Sequence, residues 1–199
     1  MLKIKEMLDS IGRVRIVSAN YSQYSSRYKL FQENIILPAF DYNKSGGALM
    51  DLNIYNIHLM VELFGVPKDV NYLANIEKNI DTSGILTLNY GDFKAVLIGA
   101  KDCRAPIGTY IQGDNGCIHI MSAANSIKKF KIIKTDKSES IYDFQNSKHR
   151  MYFEFVEFAK IINNKDFKRA ESMMKKSLDV MKIATKAREK AGIYFPADE

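Results

Sequence analysis

The chain has no tryptophan, two cysteines, four prolines and three histidines in 199 residues. Each scarcity excludes something. Cys103 and Cys117 are too few and too isolated for a metal knuckle, and they read as two reduced thiols rather than a disulfide framework. Three scattered histidines argue against a histidine-rich metal site, and no metal is expected. No apolar run reaches the length of a membrane span, because Asp51, Asn53, Asn56, His58 and Glu62 interrupt the longest one. The first residues, Met1 to Glu6, carry no leader-like apolar stretch. With the sparse cysteines, this points to a cytoplasmic protein without a membrane partner. The sequence also lacks a Gly-x-Gly-x-x-Gly turn, a P-loop and a Gly-x-Ser-x-Gly elbow. From the residues alone there is no nucleotide site and no serine-hydrolase nucleophile.

What is present is a core and a basic surface. Hydrophobic residues make up 46% of the chain, enough for one domain of this length. The net charge is +6. Its lysines are dispersed, and those from Lys165 to Lys190 alternate with apolar positions as on the solvated face of a helix. Nucleic acid is therefore not an expected partner.

The most informative stretch runs from Ser45 to Phe64. Gly46-Gly47 opens it, and Gly65 and Pro67 close it, predicting a buried helix over 47–64. Asp51, Tyr55 and His58 stand at i, i+4 and i+7, within about 60° of one another on an ideal α-helix. Glu62 extends the stripe. Ionisable groups on a buried helix need a partner or a solvated cleft, so this stripe is the candidate site. A phenol and a carboxylate one turn apart can share the proton of a substrate hydroxyl, and the imidazole can bind a second hydroxyl.

Around this helix the pattern predicts a short helix over 3–10, a strand from Arg13 to Ser22 and a long aromatic-rich segment over 21–44. That segment, with Arg27 and Tyr28 in it, reads either as a binding loop or as a set of aromatic plugs at a sheet edge. Strands follow at Val70–Asn75, Thr82–Tyr90, Phe93–Lys101, Pro106–Gln112, Cys117–Met121 and Lys129–Thr135, forming one antiparallel meander. Helices over 147–163 and 166–190 end the chain. The first is expected to bury Met151, Phe155, Phe158, Ala159 and Ile162. The second is expected to bury Ala170, Met173, Ser177, Val180, Met181 and Ala184, its methionines serving as core filler. The order gives an α+β domain. Ile98, Ala100, Ile111 and Ile118 suggest a semi-apolar outer sheet face suited to pairing with a second copy.

The run Gly46 to His58, the turn Gly113-Asp114-Asn115-Gly116-Cys117-Ile118 and the tail from Ser177 to Asp198 resemble the Gfo/Idh/MocA oxidoreductases. That family includes glucose-fructose oxidoreductase, inositol dehydrogenase and dimeric dihydrodiol dehydrogenase. The resemblance implies a C-terminal domain only. Its fold would be a large open, mainly antiparallel sheet with helices on one face, of the glyceraldehyde-3-phosphate-dehydrogenase-like C-terminal kind. Residues 1–12 would be a linking helix left from a missing Rossmann domain, and 13–199 the substrate and oligomerisation domain of a truncated enzyme. Asp51 and Tyr55 would be catalytic, with His58, Arg27 and Tyr28 binding a sugar, polyol or cyclic-diol substrate. NAD or NADP would belong to the full-length enzyme, with no cofactor-binding residue here and none bound by this chain alone, which is then expected to be inactive. A homodimer or higher oligomer would form through the sheet face. The family's Glu-Lys-Pro lysine has no counterpart, and Asn53 stands where members usually carry glycine. The alternative is a non-catalytic dimerisation or scaffold module derived from the same family.

Overall fold

The computed structural model describes residues 1–144, 149 and 151–198. One eight-stranded sheet dominates it. The strands are β1 (Val14–Ser22), β2 (Asp69–Glu77), β3 (Ile80–Asn89), β4 (Lys94–Ala100), β5 (Gly108–Gly113), β6 (Gly116–Ile120), β7 (Lys129–Lys134) and β8 (Glu139–Asp143). Their spatial order is β2-β3-β4-β1-β5-β6-β7-β8. The expected single meander is therefore two meanders, joined by β1 in the middle. β1 runs parallel to β4 and antiparallel to β5. Its Val17 and Ala19 are buried from the helix side, so the first strand serves as the spine of the sheet. The edge strand β8 adds to the expected set.

The helices cover one face. They are α1 (Leu2–Met7), α2 (Tyr28–Gln32), α3 (Ile54–Phe64), α4 (Tyr152–Asn163) and α5 (Phe167–Lys190). α3 lies between the sheet and α5, burying Ile57, Leu59, Met60 and Leu63, while α5 contributes Val180, Ile183, Ala184 and Ala187. Ile4 of α1 and Ile11 of the following 3-10 turn (Leu8–Ile11) join the same core. The tail closes by a bidentate pair: Arg188 donates to both carboxylate oxygens of Asp198 at 2.6 and 2.7 Å while stacking over Phe195. Such forked pairs are directional as well as strong.

Several expectations about packing are corrected. α4 buries no residue; Phe155 and Ile162 point outward because α4 reaches little beyond the first turns of α5. The expected start of this helix at 147 lies outside the described residues. In α5, Met181 is exposed, and the buried stripe is the one through Val180, Ile183 and Ala187. On the sheet, Ile111 and Ile118 are fully buried under the helices, whereas Ala100 shares the parity of Ile98 on the opposite face, as expected, and is itself covered there. The open face carries Leu73 opposite Ile85, Ile85 opposite Ile98, the latter as expected, and Tyr110 stacked on His119 with ring centroids 4.0 Å apart. Alternation puts every second residue outward, so the outward set is offset by one position from the one expected on β5 and β6.

The segment over 21–44 divides its two readings. Tyr28, Phe31 and Phe40 form a buried stack, with Phe31 and Phe40 centroids 4.8 Å apart. These three are plugs. The chain between β1 and α2 stays at the surface.

Helix α3 is entered through a π-helical turn, Leu49–Asn53, and this turn lies directly on the sheet. Gly99 of β4 makes the approach possible: a Cβ there would sit 2.7 Å from Cβ of Asn53. Asn53 donates to the Leu97 carbonyl at 3.1 Å, and Asn56 donates to Asn53 at 2.9 Å. A strand glycine thus lets the helix approach the sheet closely at Asn53. Asp81 fastens the other side, accepting from the Leu49 N–H at 2.6 Å and from the Tyr72 hydroxyl at 2.7 Å.

Burial pushes the Asp81 carboxyl up to about 6, against the opposing pull of those two donors. With the folded value above the unfolded one, the folded state holds the extra proton between about pH 4 and 6, so stability falls as pH rises through that window. Asp81→Asn removes this dependence. Urea unfolding at pH 4 and pH 6 should show the wild type losing on the order of 1–3 kcal/mol relative to Asp81→Asn across the interval. Parallel pH curves would contradict the assignment.

Candidate active site

The π turn changes the geometry of the stripe. An α-helix throughout would align Asp51, Tyr55 and His58; a wider turn at the N-terminal end rotates Asp51 relative to the other two. Asp51 and Tyr55 line one cavity of about 320 Å³, together with Tyr21, Gln23, Ser25, Ser26, Arg27, Leu52, Lys101 and Asn125. Tyr55 and His58 line a second, of about 250 Å³, with Glu62, Lys176 and Asn125. Tyr55 and Asn125 form the shared wall. The stripe is thus brought together in two pairs, with Tyr55 common to both.

The face carrying these groups is open, not buried as the helix pattern suggested. Tyr55 is 38% exposed, and Asp51 and His58 are exposed as well. Tyr55 contacts the Tyr21 ring at 5.9 Å, and Asn125 donates to the Tyr21 hydroxyl at 3.4 Å. Partial burial holds His58 below the ordinary histidine range, favouring the neutral ring. Glu62 is neutralised by Lys176 at 2.5 Å.

Arg27 reaches the first cavity, whereas Tyr28 does not line it. The Tyr28 hydroxyl donates to Glu77 at 2.7 Å, and this bond pushes its pKa up to about 12. The next residue in sequence therefore belongs to the aromatic plug.

Lys101, at the end of β4, is the group that sequence reasoning missed. Its side chain is 2% exposed, and its Nζ donates to Asp51 Oδ2 at 2.7 Å. It also donates to the Ala39 carbonyl and lies 4.3 Å from the Phe40 ring centroid. Desolvation lowers its pKa, while Asp51 and Asp81 raise it. A signal was available: Ala95, Leu97 and Gly99 face the helices, so Lys101 has buried parity. Asp51's second oxygen has no hydrogen bond among the described residues and is free for a ligand. No group of three potential metal ligands occurs among the described residues. Both cysteines are free. No helix of the described residues is long and apolar enough to cross a membrane.

With this arrangement in view, the comparisons with known proteins agree on a class: the sheet-and-helix half of an oxidoreductase. Residues 1–119 match the family model described as the GFO/IDH/MocA C-terminal domain. The chain belongs to the GFO/IDH/MocA family. It is 34% identical to the scyllo-inositol 2-dehydrogenase (NADP(+)) IolU of Bacillus subtilis, over 99% of this chain and 60% of that protein. It is 29% identical to the uncharacterized oxidoreductase YgjR of Escherichia coli, over 98% of this chain and 59% of that protein. The chain therefore spans about 60% of the length of these curated relatives. Among solved structures, the 3-ketoreductase KijD10 of Actinomadura kijaniata, crystallised with TDP-benzene and NADP, superposes with a TM-score of 0.70 at 16% identity. That match covers 94% of this chain and 56% of KijD10, and it shows the shared fold.

The pair Asp51–Lys101 is asymmetric, because the lysine is desolvated and the aspartate is half in water. Asp51→Asn strands a buried cation and should cost on the order of 3 kcal/mol, whereas Lys101→Met leaves a carboxylate that water can solvate and should cost about 1 kcal/mol or less. In Asp51→Asn the folded-state pKa of Lys101 drops further below 10.5. The unfolded chain then binds the extra proton, so the variant regains stability as pH rises from 7 toward 10. Chemical denaturation across that range checks both the order and the sign; equal costs, or a loss of stability on raising the pH, would contradict it.

Proposed function

We propose that this chain is the C-terminal substrate-binding and oligomerisation domain of an NAD(P)-dependent oxidoreductase acting on a hydroxyl of a sugar, polyol or cyclic diol. The observation that carries this reading is Asp51, fixed by Lys101, beside Tyr55 at an open polar cavity. Residues 1–12 lead in from a Rossmann domain outside these 199 residues. NAD or NADP, held by that half, supplies or takes the hydride. Among the described residues no strand passes through a glycine turn into a helix, the cradle a pyrophosphate needs, so no residue here is assigned to the dinucleotide.

The residues of this chain would then bind and manage protons. Asp51, through its free oxygen, accepts from a substrate hydroxyl and orients it. Tyr55 exchanges the proton of the reacting hydroxyl, drawing on its exposure to the cavity. His58, kept neutral, offers both a donor and an acceptor to a further hydroxyl from the adjoining cavity. The polar lining suits a polyol, and the NADP(+)-dependent scyllo-inositol dehydrogenase among the relatives supports that class. The scaffold alternative has no need of a solvent-open carboxylate tied to a buried lysine.

Titration calorimetry with scyllo-inositol tests the site. Millimolar binding should weaken at least fivefold in Asp51→Asn, while Tyr55→Phe leaves folding intact and weakens binding less. Heat of scyllo-inositol binding that Asp51→Asn leaves unchanged would reject the reading.

The open sheet face, with Leu73, Ile85, Ile98 and Tyr110, supports self-association through that surface. Sedimentation should give a dimer at tens of micromolar, and Ile85→Asp should shift it to monomer. A wild-type monomer at high micromolar concentration would contradict it.

A further inference from the structure

The first cavity has a charge imbalance. Two cations, Lys101 and Arg27, line it with one carboxylate, Asp51. Lys101 and Asp51 neutralise each other at 2.7 Å. Arg27 is left over: its guanidinium has no ion pair and no hydrogen bond among the described residues. It lies close enough to Lys101 for the two like charges to repel, which helps lower the lysine's pKa.

Arg27 also stands on a fixed base. The Ser25 N–H donates to the Lys101 carbonyl at 2.8 Å, tying the segment to the end of β4. The Arg27 N–H donates to Ser25 Oγ at 3.2 Å, and its carbonyl accepts from Phe31 N–H at 3.0 Å, at the start of the buried aromatic stack. A guanidinium on so constrained a backbone loses less freedom on binding than one on a loose loop. The remaining walls are hydroxyls and amides from Tyr21, Gln23, Ser25, Ser26, Tyr55 and Asn125.

We propose that the substrate is a polyhydroxylated carboxylate of the sugar-acid class, with Arg27 pairing its carboxylate and Asp51 and Tyr55 facing its hydroxyls. This deepens the reading of the cavity as the substrate site and rests on it. The lining sums to one positive charge, which a monocarboxylate cancels. A phosphate dianion would leave an uncompensated negative charge near Asp51, and a neutral polyol would leave Arg27 without a partner. The planar guanidinium matches a carboxylate by two parallel hydrogen bonds.

The test uses a matched pair, methyl β-D-glucuronide and methyl β-D-glucoside, which differ only in a carboxylate for a hydroxymethyl group. Each is titrated into the isotope-labelled 199-residue chain, followed by amide chemical shifts. The glucuronide should bind at least tenfold tighter, with shifts at residues 25–27 and 51–55. Arg27→Gln should reduce that preference to less than twofold with an unchanged spectrum elsewhere. Lys182→Gln, which removes an exposed cation on α5, should leave the ratio intact. Equal binding of the two ligands to the wild type overturns the carboxylate proposal but leaves the site reading standing. A preference that survives Arg27→Gln assigns it to overall charge and also overturns the proposal. Shifts at 51–55 from neither ligand overturn the proposal and the site reading together.

Discussion

A positive charge sits beneath the central helix, and much of the surrounding structure exists to keep it there. Lys101 is nearly sealed from water, a position an ammonium group tolerates only with close partners. The Ala39 carbonyl, the Phe40 ring and the Asp51 carboxylate supply them from two different segments. Asp81 adds a second carboxylate deeper in the core. The lysine thus joins the end of β4, the segment between β1 and the π turn, and the π turn itself. Remove the charge and Asp51 loses the contact that fixes its direction; remove Asp51 and the charge loses its largest favourable partner.

The same junction explains why the helix begins irregularly. Asp81 holds the Leu49 N–H, Asn53 holds the Leu97 carbonyl, and Gly99 removes the side chain that would keep helix and strand apart. These contacts fix the first turn against β4 and leave the outward side of that turn to Asp51. The helix beyond it returns to α geometry and presents Tyr55 and His58. Rigid backbone under a solvent-open row of polar side chains is an arrangement suited to holding a ligand in a defined orientation.

Much of this was legible in the residues. The strands β2 to β7 fall close to their expected places because alternation and the Gly91-Asp92 and Gly113–Gly116 turns mark them. The family and the domain were legible in the helix from Gly46 to His58. The central position of β1 was not, because its parallel pairing with β4 links residues some eighty positions apart and leaves no local pattern. Strand β8 has only Ile141 and Tyr142 as apolar residues and an exposed edge. The π turn is equally invisible, since its residues are compatible with α geometry. Lys101 looks like a surface lysine at a strand end until its parity is counted. The exposed stripe of α4 follows helical spacing as a buried one would, and periodicity alone does not say whether a partner element is present.

The central claim is that these residues form one half of a dehydrogenase site. It is tested most directly by joining the chain to the nucleotide-binding half of the Bacillus subtilis scyllo-inositol 2-dehydrogenase and measuring NADP(+)-dependent oxidation of polyols and sugar acids. The account predicts turnover that falls by about 10²-fold or more in Tyr55→Phe, the loss expected for a proton-transfer group. A folded, NADP(+)-binding chimaera that turns over none of these substrates, or whose turnover is indifferent to Tyr55→Phe, would contradict it.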